Sequence, residues 1–151
     1  MYSLADTFLL NNRVNLMLLD ALTGEQLAHV PSPRARSIAD QFAHLHNVRL
    51  MWLEVAAPAA AKGMAKIEKS AATRSGLRES LEESAAALAG VIEEAERSGK
   101  MRGYKRGVTA FCGYALAHEG HHRGQILAHL KHAKMPVDRG VGYGIWEWEK
   151  I

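Results

Sequence analysis

The residues of this chain with the clearest capacity for chemistry lie in the stretch HEGHHRGQ, residues 118–125, which contains three histidines and a glutamate. Its first five residues match H-E-x-x-H, the pattern in which two histidines hold zinc and the glutamate acts as general base. At about 100° of rotation per residue, His118 and His122 lie about 40° apart on one face of a helix. Two imidazoles placed in this way can share one metal ion.

Peptide hydrolysis is not favoured by the surrounding sequence. The extended zinc-protease pattern requires Gly and His where this chain has Gln125 and Ala128, and His129 comes one position late. No later helix remains to supply a glutamate ligand, and the closed core of a helical bundle offers no groove for an extended peptide. Glu119 is therefore not assigned the role of a protease base.

The two spaced histidines also admit a plainer interpretation, as core or boundary side chains that hydrogen-bond to their neighbours. Two adjacent imidazoles on a buried face each need a polar partner, and one metal ion satisfies both. His121 falls toward the edge of the same face and is the weaker ligand candidate. His29 is expected in a loop, and His132 lies near a helix end, where solvent or the helix dipole accounts for it.

A third ligand would have to come from another helix. The segment AHLHN, residues 43–47, offers His44 and His46. His44 shares a helical face with Met51 and Trp52, which are predicted to line a pocket beside it. Because the segment is apolar nearly all round, periodicity does not choose between the two histidines.

Four long helical segments predict an all-α protein with a four-helix bundle. We place them at about 3–22, 33–57, 73–97 and 108–134. Ser3 and Asp6 resemble a capping box at the start of the first helix. Thr23-Gly24 is expected to end that helix, and Ser32-Pro33 to begin the second.

The connections and the tail complete the predicted architecture. Residues 59–72 are small and polar, and we expect them to form a longer crossover between the second and third helices. The tail, VGYGIWEWEKI, is expected to pack back on the bundle because Trp146 and Trp148 are costly to leave in water. Residues 1–151 are expected to form one domain.

Composition and charge limit the classes of function. The net charge is only +3, and the Lys and Arg residues are scattered without a dense basic run, so we do not expect nucleic-acid binding. The single cysteine, Cys112, excludes an internal disulfide, suits a reducing compartment, and is expected to be buried packing and not a nucleophile. No apolar run approaches the roughly 20 residues of a membrane span, and no signal peptide is evident. The expected location is therefore the cytoplasm, without membrane association.

Two segments together resemble a known family. AHLHNVRLMWL on the second predicted helix and HEGHHRGQIL on the fourth resemble the DinB-like family of damage-inducible, metal-binding four-helix-bundle proteins. The similarity covers nearly the whole chain, and H-x-x-H-H-R-G-Q is its specific motif. The resemblance implies a three-histidine metal site formed by His44, His118 and His122, with His44 preferred to His46 because it lies eight residues before the Trp.

The resemblance also implies a divalent metal with open coordination positions for water or substrate. Zn, Ni, Fe and Mn are all candidates, because three neutral imidazoles select weakly among them. Gln125 is expected to line the pocket or to hydrogen-bond a metal-bound water. Arg123 is expected in a structural or inter-subunit ion pair, with contact to an anionic substrate as the alternative. Gly120 and Gly124 are costly inside a helix, which indicates close packing of another backbone within the bundle or across a homodimer.

Two functions follow as hypotheses, and no catalytic residue is assigned beyond the metal ligands. In the first, the protein is a metal-dependent enzyme, since relatives in the wider superfamily transfer low-molecular-weight thiols or isomerise maleylpyruvate with a thiol cofactor. Such a metal would activate either a thiol or a water molecule. In the second, the protein is a non-catalytic, stress-induced binding or metal-sensing bundle with a structural metal.

Overall fold

The computed structural model describes residues 2–151, which form helices and loops without a strand. The α-helices are α1 (Leu4–Ala21), α2 (Gly24–Ala28), α3 (Ile38–Ala56), α4 (Arg74–Ser98), α5 (Val108–His132) and α6 (Arg139–Gly144), followed by a 3-10 turn at Trp148–Lys150. The four long helices α1, α3, α4 and α5 pack against one another, which confirms the predicted four-helix bundle. Within residues 2–151, no helix combines the length and the apolar character that crossing a bilayer requires.

The core of the bundle consists of two apolar clusters, each built from all four long helices. The first cluster includes Phe8, Leu50, Leu53, Ala85, Leu88, Ile92, Phe111 and Ala115. The second includes Leu18, Leu19, Ile38, Phe42, Leu45, Leu77, Leu81, Ile126 and Leu130. Along each helix the members of one cluster precede those of the other, so the two clusters occupy opposite ends of the bundle.

The order of the clusters along each helix gives the topology. Helices α1 and α5 run from the first cluster to the second, whereas α3 and α4 run in the opposite direction. Because α3 and α4 are parallel, residues 57–73 must return along the length of the bundle. They lie along α3, where Asn47 exchanges two 2.9 Å hydrogen bonds with the backbone of Ile67, and Asp40 accepts the N–H of Ser70 at 2.9 Å. This confirms the predicted crossover.

A polar layer separates the two clusters and is buried in the middle of the bundle. Its centre is the ion pair between Arg49 of α3 and Glu119 of α5, with side chains only 2% and 3% exposed. The guanidinium donates to both carboxylate oxygens at 2.7 and 2.9 Å. Asn11 and Asn15 of α1 also donate to Glu119, at 2.6 and 2.7 Å, and Asn12 accepts from Arg49 at 2.8 Å. Three helices therefore meet at one carboxylate.

The ends of the early helices agree with the sequence signals only in part. Ser3 and Asp6 form the predicted capping box of α1. Helix α1 ends at Ala21 as expected, but Thr23 then caps the short helix α2. The prediction that the second long helix begins at Ser32-Pro33 is wrong, because α3 starts at Ile38 with Ser37 as its cap. Residues 31–35 form turns instead. A Ser followed by Pro is compatible with a turn as well as with the start of a helix.

The C-terminal tail packs on the bundle, but not through the residue that motivated the prediction. Ile145 is buried, and the backbone of Gly144 approaches α1 so closely that a Cβ there would lie 2.5 Å from Met17 Cε. Trp148 is partly buried, whereas Trp146 is 77% exposed. The expectation that both tryptophans turn inward is therefore wrong for Trp146. Gly144 and Ile145 make the contact with the bundle in its place.

Replacing Glu119 by Ala should lower the free energy of unfolding by about 3–5 kcal/mol, because it leaves the Arg49 guanidinium buried without a counter-charge. Urea denaturation followed by circular dichroism measures this change. The matched control is Asp20→Ala, which breaks the exposed pair with Arg78 and should cost less than about 1 kcal/mol. Equal losses in the two variants would contradict a central role for the buried pair.

Candidate metal centre

Three histidines come together where α3 faces α5. His44 lies on α3, and His118 and His122 lie one turn apart on α5. Their ring centroids are 5.3 Å apart for His44 and His118, and 4.7 Å apart for each of the other two pairs. One nitrogen from each ring lies within 4.8 Å of the others. His122 is buried and the other two are partly buried, so the group, here called the histidine triad, lies just below the surface.

The donor set of the triad fits a divalent metal. An ion at about 2.1 Å from each nitrogen requires nitrogens no more than about 4.2 Å apart, so small side-chain rotations bring the three rings to coordination distance. Three neutral imidazoles suit zinc and other first-row divalent ions. Among residues 2–151, no fourth His, Cys, Asp or Glu joins the group. The protein therefore supplies three ligands and leaves at least one position of a tetrahedral ion open.

Gln41 orients one ring of the triad. Its Oε1 lies 2.6 Å from Nδ1 of His122, so that ring nitrogen carries the proton and the lone pair is on Nε2. The other end of the same amide donates to Oε1 of Gln125 at 3.3 Å. In this orientation of the Gln41 amide, Nδ1 of His122 is the donor. A polar partner of this kind sets the tautomer and the angle of a ligand ring.

The surroundings of the triad keep it neutral. Burial lowers the pKa of His44 to about 4, and the positive charge of Arg36 and the neighbouring His118 act in the same direction. Burial likewise lowers the pKa of His122 to about 4, assisted by the other two rings. The pKa of His118 is also lowered by burial, although the negative charge of Glu119 opposes the shift. At neutral pH the three imidazoles therefore offer lone pairs and need not lose protons to bind a metal.

The other histidines that the sequence left open lie outside the triad. His46 is 1% exposed, and its ring nitrogens each lie 3.0 Å from a carbonyl oxygen, of Ser80 on α4 and of Ala65 in the crossover. A carbonyl oxygen therefore lies beside each ring nitrogen, and a neutral ring donates its one N–H to one of the two. His121 is exposed, and His132 contacts the carbonyl of Ala128 at 2.8 Å.

A cavity of about 600 Å³ opens beside the triad, and His44 is the triad member that lines it. Gln41 and Gln125 line the same cavity, as expected for Gln125. Met51 and Trp52 are not among its lining residues. Met51 is 42% exposed, and Trp52 packs on Tyr104, Phe111 and Tyr114 with ring centroids 5.3 to 5.8 Å apart.

Next to the triad on α5, Arg123 has a structural partner, whereas no other backbone within residues 2–151 packs on Gly120 or Gly124. Arg123 donates to Asn15 at 2.6 Å, so the structure gives it a role in the polar layer. Nothing lies within 4 Å of a Cβ placed on Gly124, and only the tip of Arg123 approaches one on Gly120. The expectation that another backbone of the same chain packs on these glycines is therefore wrong.

Sequence reasoning did not find Gln41 or the asparagines of the polar layer. Gln41 lies three residues before His44 and so shares its helical face, and this spacing could have predicted a polar partner for the histidines. Asn11 and Asn15 were also readable as a pair one turn apart in an apolar helix. Their partner could not be read, because Glu119 is more than 100 residues away.

Gln41→Ala should weaken metal binding by about 10- to 100-fold, because His122 loses the partner that holds its tautomer and orientation. Competition with a chromogenic chelator measures the affinity. The control is Gln26→Ala, which removes another buried glutamine that caps α2 far from the triad along the chain. Equal affinities in both variants would contradict the orienting role of Gln41.

The metal-free protein should lose stability as the pH falls from about 6.5 to about 4. In this range the unfolded chain carries protonated His44 and His122, whereas the folded chain holds them neutral. The unfolded state then binds more protons, so the free energy of unfolding rises with pH in this window. Urea denaturation at a series of pH values measures the slope. His44→Gln/His122→Gln should flatten it and His132→Gln should not; a slope unchanged by the double variant would refute the assignment.

Comparison with known proteins places the chain in a family. The model of the DinB superfamily matches residues 8–126, a range that begins in α1, includes the whole triad and ends in α5 just after Gln125. Comparisons with curated proteins and with solved structures give no match. The family model covers well over half of the 151 residues. The chain belongs to the DinB superfamily.

Proposed function

We propose that the protein is a metal-dependent enzyme that uses His44, His118 and His122 to hold a divalent ion for thiol transfer or hydrolysis. The observation that carries the proposal is the number and placement of the ligands. Three imidazole nitrogens converge, no fourth protein ligand from residues 2–151 completes the set, and a cavity of about 600 Å³ adjoins His44. Catalytic metal sites keep a position open, whereas structural sites are closed.

The chain contributes orientation, neutrality and room for a substrate. Gln41 holds His122 with Nδ1 protonated, and burial keeps the triad unprotonated at neutral pH. The cavity has a volume suited to a small molecule. When bound, a divalent ion lowers the pKa of a thiol or a water molecule placed in its open position and so supplies the nucleophile.

A thiol substrate would have to come from outside the chain. Cys112 is 1% exposed, its Sγ faces the carbonyl of Leu4 at 3.7 Å, and burial raises the pKa of its thiol. Such a thiol is a poor nucleophile. This supports a low-molecular-weight thiol as cofactor in the thiol-transfer form of the proposal.

A homodimer in a reducing compartment, the cytoplasm, belongs to the same proposal. The support for a dimer is the exposed side of α5, where Gly113 and Gly124 have no atom within 4 Å of an added Cβ. These costly glycines would permit close approach of a second chain. The support for the compartment is the single buried cysteine.

Purified protein should contain about one divalent metal per chain, measured by elemental analysis after growth with added divalent metals. His118→Ala and His122→Ala should each lose most of it, because two nitrogens hold an ion far less tightly than three. His121→Ala is the matched control and should retain the metal, since that ring is exposed. Metal-free wild-type protein, or equal loss in the control, would refute the site.

Two further measurements distinguish a catalytic metal site from a purely structural one. In the cobalt-substituted protein, an added low-molecular-weight thiol should change the visible absorption, because it enters the open position. A screen of thiol transfer to electrophilic substrates and of ester hydrolysis should then give turnover that chelation abolishes. A tightly bound metal with neither response would overturn the enzyme proposal in favour of a non-catalytic metal-binding bundle.

A further inference from the structure

The cavity beside His44 carries an unbalanced positive charge. Arg34 and Arg36 enter it from the loop before α3, and Lys69 enters it from the crossover. All three are exposed. The ion pairs within residues 2–151 involve other side chains, so these cations have no carboxylate within 4.0 Å. The lining contains one carboxylate, Asp40, which leaves an excess of two positive charges.

The hydrogen-bond acceptors of the lining are mostly engaged within the protein. Asp40 Oδ1 accepts the N–H of Ser70 at 2.9 Å, which fixes the crossover next to Lys69. Asn47 Oδ1 accepts the N–H of Ile67 at 2.9 Å. These two oxygens hold the wall of the cavity together, whereas Oδ2 of Asp40 makes no hydrogen bond among the described residues.

The two glutamines of the lining repeat this pattern. Gln41 directs its Oε1 to His122, and its amide nitrogen donates to Oε1 of Gln125. The amide nitrogen of Gln125 makes no hydrogen bond among the described residues and is not one of the buried polar atoms without a partner. The hydrogen bonds that begin at the triad therefore end in a free donor. Together with the three cations, this amide nitrogen is a donor that a ligand could engage.

We propose that this cavity binds the carboxylate or phosphate group of a small-molecule substrate, through Arg34, Arg36, Lys69 and Gln125, while the rest of the substrate extends toward the histidine triad. The inference rests on the proposed function, because that function makes the histidine triad the place where the other end of the substrate reacts. Guanidinium groups bind both oxyanions in a bidentate manner. The positive charge of Arg36 contributes to the lowered pKa values of His44 and His122, which agrees with its position in the same cavity lining as His44.

The size and lining of the cavity favour a small molecule as the bearer of the oxyanion. Its volume of about 600 Å³ lies within the range of small-molecule sites. A single-stranded nucleic acid would need aromatic platforms on which bases stack, and the lining contains no Phe, Tyr or Trp. The acyl chain of a lipid would need an apolar wall, and only Ala35, Ala43 and Ile67 among the 12 lining residues have apolar side chains.

Titration calorimetry at low ionic strength, with inorganic phosphate and succinate as probes, tests the proposal on both metal-loaded and metal-free protein. We expect one equivalent of at least one probe to bind both forms. Arg36→Gln/Lys69→Gln should weaken that binding at least tenfold in both forms, equal to about 1.4 kcal/mol. The more tightly bound probe identifies phosphate or carboxylate as the preferred group. Circular dichroism verifies that the exposed substitutions leave the fold unchanged.

The matched control is Lys105→Gln/Arg106→Gln, which removes two exposed positive charges outside the cavity and should leave the affinity unchanged. Equal affinities in the two double variants would overturn the proposal, and so would the absence of binding at about 10 mM of either probe. Binding only to the metal-loaded form would also overturn it, because the anion would then be held by the metal. Metal content is measured in parallel. A triad that binds no metal lowers the metal content, whereas a cavity that binds no anion changes only the calorimetric result.

Discussion

The buried ion pair between Arg49 and Glu119 is the interaction on which the rest of the structure depends. It joins α3 to α5 at the middle of the bundle, and the asparagines of α1 complete its hydrogen bonds. His44 lies five residues before Arg49, about 7.5 Å along α3, and His122 lies three residues after Glu119, about 4.5 Å along α5. Because the helices are antiparallel, both steps lead toward the same end of the bundle. The pair therefore sets the register in which the triad meets.

A buried pair is a weak source of stability but a strong source of specificity in this setting. Taking two charges from water costs several kcal/mol per ion, and only good geometry with further hydrogen bonds offsets it. Glu119 has those bonds, from Arg49, Asn11 and Asn15. A slip of either helix by one residue would break them, whereas the apolar clusters on each side tolerate small displacements more readily. The polar layer thus favours the packing in which His44, His118 and His122 converge.

The triad and the adjoining cavity differ in charge. Burial keeps His44 and His122 neutral at physiological pH, which suits a metal, while the positive side chains remain in the solvated loop and crossover. The glutamine pair Gln41–Gln125 connects the two regions, because Gln41 contacts His122 through its Oε1 and Gln125 through its amide nitrogen. The crossover that carries Lys69 is held to α3 by Asn47 and Asp40, and the carbonyl oxygen of Ala65 in the same segment lies 3.0 Å from Nε2 of His46.

The sequence by itself determined the features that depend on residues close together in the chain, such as the helices and the faces that they present. Helical periodicity predicted four helices, and the spacing of His118 and His122 placed them on one face, because rotation per residue is a local property of a helix. Periodicity could not choose between His44 and His46 in an apolar helix, and the resemblance to a family made that choice. Only the tertiary structure showed that carbonyl oxygens from α4 and the crossover lie against the ring of His46, that α3 begins at Ile38, and that Trp146 is exposed. Each depends on partners distant in sequence, whose positions follow from the packing of whole helices.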